Sequence, residues 1–502
     1  MGKIKKILIA NRGETALRVI RACQEMGIST VAVYAEPDRE SLHVRYADEA
    51  FALGGTLASE SYLDVDKIFK AAEETSADAI HPGYGFLSEN ADFAEACTKQ
   101  GLIWVGPPAQ VIRDMGDKIK ARQLMQEAGV PVVPGSDSEL SDVKTLEDLA
   151  EEVGYPVMIK AAAGGGGKGI RRVENRLGIA SAFRQSSGEA LSSFANASVY
   201  LEKLITPAHH IEVQVFADQQ GNAVHMGERE CSLQRRSQKL IEESPSPFVS
   251  ESLRDKMTSI AVKATQAIGY EGAGTFEFLV DENKNFYFLE MNTRLQVEHT
   301  VTEQVTGLDM VKEQITVAEG QVLSFKQKDV RNRGHSIEIR VCCEDPFNNF
   351  SPSVGKVEDM QLPGGPHVRL DSSLYTGMEV TLYYDPMVAK LVVWALTRER
   401  AIERLRHAVR EFYLSGVKTS LPLYLLLADD PTFVAGDYHT GYLEEFVTKE
   451  KTQDEVREKE AACCVAVLEH LRKKSPDLSS LDSYSGDSWR QAALREGLKK
   501  RL

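Results

Sequence analysis

The sequence contains no Cys-x-x-Cys pair, no apolar run approaching a membrane span and no surplus of basic charge. Its seven cysteines (23, 97, 231, 342, 343, 463 and 464) include two adjacent pairs, a spacing that suits neither a zinc site nor a disulfide framework. The apolar run near the N-terminus, Ile7–Ala10, is too short for the core of a secretory signal. Lys6 stands where a myristoylation motif beginning at Gly2 needs Ser or Thr. Nothing reaches the roughly 18 consecutive apolar residues of a membrane-spanning helix. A net charge of −15 argues against a nucleic-acid partner, which would need a basic face. There is no internal repeat and no low-complexity tract. These absences predict a cytoplasmic, reduced, globular enzyme with no nucleic-acid partner and no membrane insertion.

What is present is 502 residues, 42% of them hydrophobic, enough for sizeable cores in about three domains. Residues 1–115 alternate short apolar strands (IKKILIA at 4–10, Ile28–Tyr34, DAIHPGYGF at 78–86, LIWVGP at 102–107) with amphipathic helices. Such βα units predict a parallel sheet with helices on both faces, a Rossmann-like domain. No Gly-x-Gly-x-x-Gly follows its first strand, so no dinucleotide site is expected there. Residues 116–330 read as a mixed α+β region. A polar linker at 326–334 (KQKDVRNRG) leads to a strand-rich unit over 335–446 that closes with a helix near 399–413. Residues 447–502 turn rich in Lys, Glu, Arg and Ser around AACCVAVLEHL, and read as a helical appendage.

Two segments of the middle region carry chemistry. TFEFLV (275–280) and FYFLEMN (286–292) read as a hairpin about the polar turn 281–285. Alternation places Thr275, Glu277 and Leu279 on one face of their strand, and Phe286, Phe288, Glu290 and Asn292 on one face of theirs. Folding the hairpin sets Glu277 roughly opposite Glu290. Like charges directly opposite across a sheet are destabilising, so a cation is expected between them. One or two carboxylates plus substrate phosphates suit Mg²⁺; two solvated carboxylates on an exposed face are the alternative. Upstream, YPVMIKAAAGGGGKGIRRV (155–173) is a strand, a glycine loop and a second extended segment. Gly164-x-Gly166-x-x-Gly169 lacks the following helix a dinucleotide fingerprint needs, and no Ser or Thr follows Lys168 as a Walker A loop requires. What remains is a hairpin whose bare amides can close over phosphates, with Lys160 at the strand end; a disordered linker is the alternative.

A series of stretches then resembles one family. They are ILIANRGE (7–14), HPGYGFLSEN (81–90), GDK (116–118), GYPVMIKA (154–161), HHIEVQV (209–215), ERECSLQRRSQK (228–239), GAGTFEFL (272–279), EMNTRLQVEHTVTE (290–303) and YYDPMVAKL (383–391). Together, in this order, they resemble the biotin carboxylases, ATP-grasp enzymes, over about residues 3–447. The resemblance implies a multidomain α/β and α+β fold: an N-terminal Rossmann-like domain (1–115), an ATP-grasp domain (116–330) with a mobile lid over about 133–203, and a C-terminal biotin carboxylase domain (335–446). It implies a homodimer that uses ATP, Mg²⁺ (or Mn²⁺) and bicarbonate to carboxylate biotin on a carrier protein. By resemblance, Lys118, Lys160, Gly165, Gly166, His210 and Gln234 bind the nucleotide, and Glu202, Lys203 and Leu204 line the adenine pocket. Glu277 and Glu290, with Asn292, hold the metal. Lys239, Arg294, Gln296 and Val297 surround bicarbonate, and Glu298 is its general base. Arg340 stabilises the biotin enolate, with Arg18 and Tyr84 near the ureido ring. Where the family often has His, this chain has Ser237, which leaves a contact to the ribose open.

Two other readings are separated by residues. Another ATP-grasp ligase, making an acyl phosphate for an amine acceptor, would share the metal pair but not RLQVEHTVTE or the Arg340 strand. A non-catalytic ATP-binding protein would have lost Glu298, Arg340 or Lys239, and all three are present. No Ala/Val-Met-Lys-Met biotinylation site occurs, so the biotin carrier and the carboxyltransferase are expected on separate proteins.

Overall fold

The computed structural model of the chain describes residues 3–161, 170–194 and 197–450, apart from the side chains of 190, 193 and 194. Residues up to 444 belong to one compact unit; of a second, which begins at 445, residues 445–450 are described and are helical. The loop glycines Gly165 and Gly166, and the tail beyond 450, lie outside the described residues.

Five parallel strands open the chain: β1 (Lys6–Ile9), β2 (Ser29–Tyr34), β3 (Glu49–Ala52), β4 (Ala79–His81) and β5 (Ile103–Trp104), in the order β3-β2-β1-β4-β5. Strands covered on both faces read as unbroken apolar runs, as β1 does. The helix Gly13–Met26 packs Ala16, Val19, Ile20 and Cys23 on one side of this sheet, while Leu8, Val31, Val33, Ile68 and Phe93 fill the other. The helix stops at Gly27, whose left-handed backbone (φ +69°) returns its N–H to the Cys23 and Gln24 carbonyls. At the carboxyl end of β1, the Asn11 amide donates to the carbonyls of Pro82 (2.7 Å) and Tyr84 (2.8 Å). Gly83 is required for this approach: a Cβ there would lie 2.6 Å from Thr15 Cγ2. The loop after β4 is thereby fixed against the first helix, at the edge where parallel sheets present ligand sites.

Strands β6 (Val157–Ala161), β7 (Arg171–Val173) and β8 (Val199–Lys203) form a small antiparallel sheet, β7-β6-β8. Leu146, Val157, Ile159, Val173, Ile179, Val199 and Leu201 give it an apolar core of its own.

The largest sheet has eight antiparallel strands: β9 (Ala208–Ala217), β10 (Ala223–Arg235), β11 (Gln238–Ser244), β12 (Gly272–Asp281), β13 (Phe286–Asn292), β14 (His335–Cys342), β15 (Val368–Ser372) and β16 (Met387–Ala395). Their order is β13-β12-β9-β10-β11-β14-β16-β15. The strands after the 326–334 linker therefore continue the sheet that precedes it, with β14 paired to β11. Arg340 stands on an interior strand, between β11 and β16. One face of the sheet is apolar: Ile211, Val213, Phe276, Phe278 and Phe288 pack against Leu253, Met257 and Ala261 of the helix Glu251–Ala267. Each fully buried Phe contributes about 1.5–3 kcal/mol. The opposite face carries charge in register across neighbouring strands: Glu290, Glu277, Glu212 and Arg229, then Glu242 beside Glu338, then Arg340, Lys390 and Asp371.

One expectation is corrected here. Phe286 and Phe288 do not share a face with Glu290 and Asn292. Glu277 pairs with Glu290 and Phe278 with Phe288, so Leu289 is an extra residue bulged out of the ladder. In an unbroken ladder Leu289 would oppose Glu277, and Glu290 would point into the apolar layer. The bulge reverses the alternation and brings the two carboxylates to one side.

Candidate active site

Charged side chains on one face of the largely buried central strands build this site. Lys239, on β11, places its ammonium among three carboxylates: Glu277 Oε1 at 2.9 Å, Glu298 Oε1 at 2.8 Å, and Glu212 in still closer contact. The other oxygen of Glu298 lies 2.9 Å from Arg340 Nη2, and Arg340 Nε donates to Glu242 at 2.6 Å. Beneath them Arg229, fully buried, donates to Glu212, to Gln214 (2.6 Å), to Thr275 and Thr302, and to Gln296. Gln296 in turn donates to Glu277 at 2.9 Å. Residues from five strands, the 293–298 loop and the helix His299–Thr306 thus form one connected network.

The charges in it are strongly biased. Burial alone would neutralise Glu298 and Glu277, yet Lys239 together with Arg340 and Arg229 around the first, and Lys239 with His210 around the second, hold both far below the usual carboxylate range. Burial likewise opposes charge on Lys239, and its three carboxylates override it. His210 Nε2 is 2.9 Å from Glu277 Oε2; despite burial this partner raises its pKa. Glu242 moves the other way, up to about 7, because burial and then Glu298 outweigh the help from Arg340.

Glu290 differs from its partner. More than a third of its surface is open, and among the described residues its carboxylate has no hydrogen bond or ion pair. Lost hydration and the facing Glu277 raise its pKa, with Lys118 pulling the other way. Glu277 and Glu290 offer the paired oxygens that suit Mg²⁺, and the open Glu290 leaves access for it. Of the two carboxylates, Glu277 is paired with Lys239, and among the described residues Lys239 makes no ion pair with Glu290. Asn292 turns its amide nitrogen to Glu277 (2.7 Å) and its carbonyl to Arg294 (2.8 Å), so its oxygen is not aimed at the pair. Two other groups with ligand spacing, His210–Glu212–Glu277 and Glu212–Cys231–Glu298, surround the Lys239 ammonium, which already supplies their positive charge.

A cavity of about 390 Å³ opens beside this network, lined among others by Glu14, Tyr84, Lys239, Val297, Arg340 and Tyr383. On the β6–β8 sheet, Lys160 pairs with Glu202, while Lys203 donates to the carbonyls of Gly154 (2.8 Å) and Tyr155 (2.9 Å). Burial lowers the pKa of Lys118, at the start of the helix Lys118–Glu127. Leu204 donates its N–H to Pro156, and Gln234 lies opposite Lys239 across the β10–β11 hairpin. Arg294 stays at the margin, its Nε 2.9 Å from Glu89. Arg18 is not brought to the cavity: its guanidinium is held by Glu303 (2.8 Å) and Asp309 (2.7 Å). Ser237 is exposed at the tip of the β10–β11 hairpin, where Arg236 (φ +48°) and Ser237 (φ +65°) form its two-residue turn.

Sequence reasoning missed Glu212, Arg229, Glu242, Glu89, Glu14 and Lys390. For Glu212 and Lys390 the signal is a lone charge inside a largely apolar strand, as in HHIEVQV or MVAKLVVWA; Arg229 and Glu242 stand beside other charges, in GEREC and LIEES, and carry no such mark.

Comparison with known proteins decides the family. Residues 3–112 match the family described as biotin carboxylase, N-terminal domain; 117–326 match the carbamoyl-phosphate synthase L chain, ATP binding domain; 338–445 match the biotin carboxylase C-terminal domain. Biotin carboxylase 1 of Bacillus subtilis is 51% identical over 444 residues, covering 88% of this chain and 99% of that protein. The chain belongs to the biotin carboxylase family. The biotin carboxylase of Pseudomonas aeruginosa is 51% identical over 89% of this chain and 100% of its own length. A Campylobacter jejuni biotin carboxylase crystallised as a β,γ-ATP complex is similar in structure, with a TM-score of 0.86 at 49% identity, covering 88% of this chain and 99% of that one. The biotin carboxylase domain dimer of Hydrogenobacter thermophilus 2-oxoglutarate carboxylase, solved with MgADP, ADP and bicarbonate, gives the same TM-score at 47% identity, over 89% and 98%. Among the described residues no helix of this family member is long and apolar enough to cross a membrane.

Proposed function

We propose that this chain carboxylates biotin on a carrier protein, using ATP and bicarbonate, as the first half-reaction of a multi-subunit cytoplasmic carboxylase acting on acetyl-CoA, propionyl-CoA or pyruvate. The observation that carries the reading is the Lys239–Glu298–Arg340 series at the wall of the cavity. Bicarbonate is a poor nucleophile until it loses a proton, and a carboxylate set between two cations is built to bind it and take that proton. Without substrate those cations hold Glu298 ionised. An incoming bicarbonate would share Lys239 and Arg340, and the base, released from both, would gain proton affinity where it is needed. Lys239, Gln296 and the Val297 backbone orient the anion, with Arg294 joining once it leaves Glu89.

Attack on the γ-phosphate gives carboxyphosphate and ADP. Lys118, Lys160 and His210 contact the phosphates, with Gly165, Gly166 and Gln234 completing the nucleotide site; Glu202, Lys203 and Leu204 face adenine. Glu277 and Glu290 would hold Mg²⁺ or Mn²⁺, which supplies charge neutralisation on the phosphoryl group. Carboxyphosphate then breaks to CO₂ and phosphate, phosphate takes the biotin N1′ proton, and N1′ attacks CO₂. Arg340 stabilises the enolate oxygen, with Tyr84 on the same wall. Carrier and carboxyltransferase are separate proteins, and the enzyme works as a homodimer, the state named for the Hydrogenobacter relative.

The test is ADP release with free biotin, with and without bicarbonate. Strong dependence on bicarbonate is expected; equal rates would overturn the assignment.

A further inference from the structure

Lys390 is the one lysine of β16, and it has no exposed surface. An ammonium in an apolar strand carries a desolvation penalty of several kcal/mol, so its partners indicate what holds it there. Asp371, directly opposite on β15, is taken by Arg369 at 2.9 and 2.6 Å. Lys390 turns instead to three groups. It donates to the Val297 carbonyl at 2.9 Å, lies 3.5 Å from the Tyr84 hydroxyl, and lies 3.4 Å from Glu14 Oε2.

Those three residues line the 390 Å³ cavity and Lys390 does not. The ammonium sits behind the wall, at the point where three separate segments meet: the start of the first helix, the loop after β4, and the 293–298 loop. Its hold on the Val297 carbonyl fixes the peptide plane between Val297 and Glu298. That plane sets the backbone of Glu298, the residue before the helix His299–Thr306, and so sets where its carboxylate points.

We propose that Lys390 is a positioning residue for the bicarbonate and biotin side of the reaction, acting through the Val297–Glu298 peptide, Tyr84 and Glu14. The inference rests on the function proposed above. A misplacement of about 1 Å can cost roughly a hundredfold in rate. Lys390→Met should therefore lower kcat/KM for bicarbonate and for free biotin by about 10–100-fold. KM for ATP should stay within about twofold, because the nucleotide residues sit on other elements; an interaction lost equally in ground and transition state would move KM alone.

Removing one partner of a buried pair also destabilises the fold, so the decisive variant is the charge-balanced Lys390→Met/Glu14→Gln. It should recover thermal stability relative to Lys390→Met and keep the loss in kcat/KM for bicarbonate and biotin with ATP KM unchanged. Recovery of both stability and activity in the double variant would reduce Lys390 to a structural ion and overturn the proposal, as would wild-type kcat/KM values in either variant or an equal rise in ATP KM. Wild-type enzyme measured alongside separates the two readings: if it lacks bicarbonate-dependent ATP cleavage, the proposed function fails; if it has it, only the role of Lys390 is on trial.

Discussion

Lys239 holds three carboxylates on one ammonium, and one of them, Glu298, is shared between that ammonium and Arg340. The division of labour this implies is testable one residue at a time. Glu298→Gln keeps the shape but removes the base, so bicarbonate-dependent ATP cleavage should fall by the roughly 10²–10⁴-fold that a general base contributes. Arg340→Ser should leave more of the ATP cleavage and depress biotin carboxylation by about 10²–10³-fold, the usual cost of one donor to a developing oxyanion; comparing ADP release with carboxybiotin formed in the same assay measures that uncoupling. At this scale the sequence was readable wherever a motif named the residue. It was silent on the support beneath. Arg229 and Glu212 are fully buried and paired with each other, and a pairing between residues 17 apart in sequence leaves no local pattern that marks it.

Two hairpins show how far element-level reading carries. The turn at 281–285 follows from polar residues between apolar runs, and β13 spans the residues expected of it; the turn at 236–237 is seen only in the structure. Alternation nevertheless put Glu290 on the face of Phe288, because period-two counting has no means of seeing one residue left out of the ladder. The bulge makes an unusual pair of deletions informative. Removing Leu289 should keep Glu290 opposite Glu277 and preserve Mg²⁺-dependent turnover; removing Glu290 should set Leu289 there and abolish it. Titration of activity against Mg²⁺ for the two variants checks this, and Glu290→Gln should resemble the second. In the other hairpin, Ser237 occupies a left-handed backbone position that His tolerates better than most residues. Ser237→His should shift KM for ATP modestly with kcat nearly unchanged, and a large loss of kcat in Ser237→Ala would place the serine in the chemistry instead.

Across the whole molecule, Glu243 joins strands to the helices that follow them. On β11 it meets His335 at 2.5 Å, Arg398 at 2.7 and 3.0 Å, and the Tyr438 hydroxyl. Burial opposes its charge, but Arg398 and His335 bring its pKa down to about 2. A carboxylate with a depressed folded pKa contributes stability that is complete above its unfolded value and is lost as pH falls toward the folded one, here from about 4.5 toward about 2. The stability difference between wild type and Glu243→Gln, read from urea midpoints, should therefore be largest near neutral pH and shrink steadily from about pH 5 to about pH 3. The parallel N-terminal sheet was legible because its strands are short, apolar and spaced by helices. The single large sheet was not: the polar stretch 326–334 lies between two family matches, 117–326 and 338–445, and nothing local in it signals that β14 pairs with β11 in one sheet.

That shared sheet constrains how the chain can be cut. Severing it within 326–334 would strip the neighbour from both β11 and β14, baring two long rows of unpaired N–H and C=O groups, the ladder rungs of each strand facing water. Bare strands of this kind recruit copies of themselves. Each fragment produced alone should precipitate, whereas the two produced in the same cell should find one another and restore a soluble, active enzyme, because the missing strand of each is the other's template.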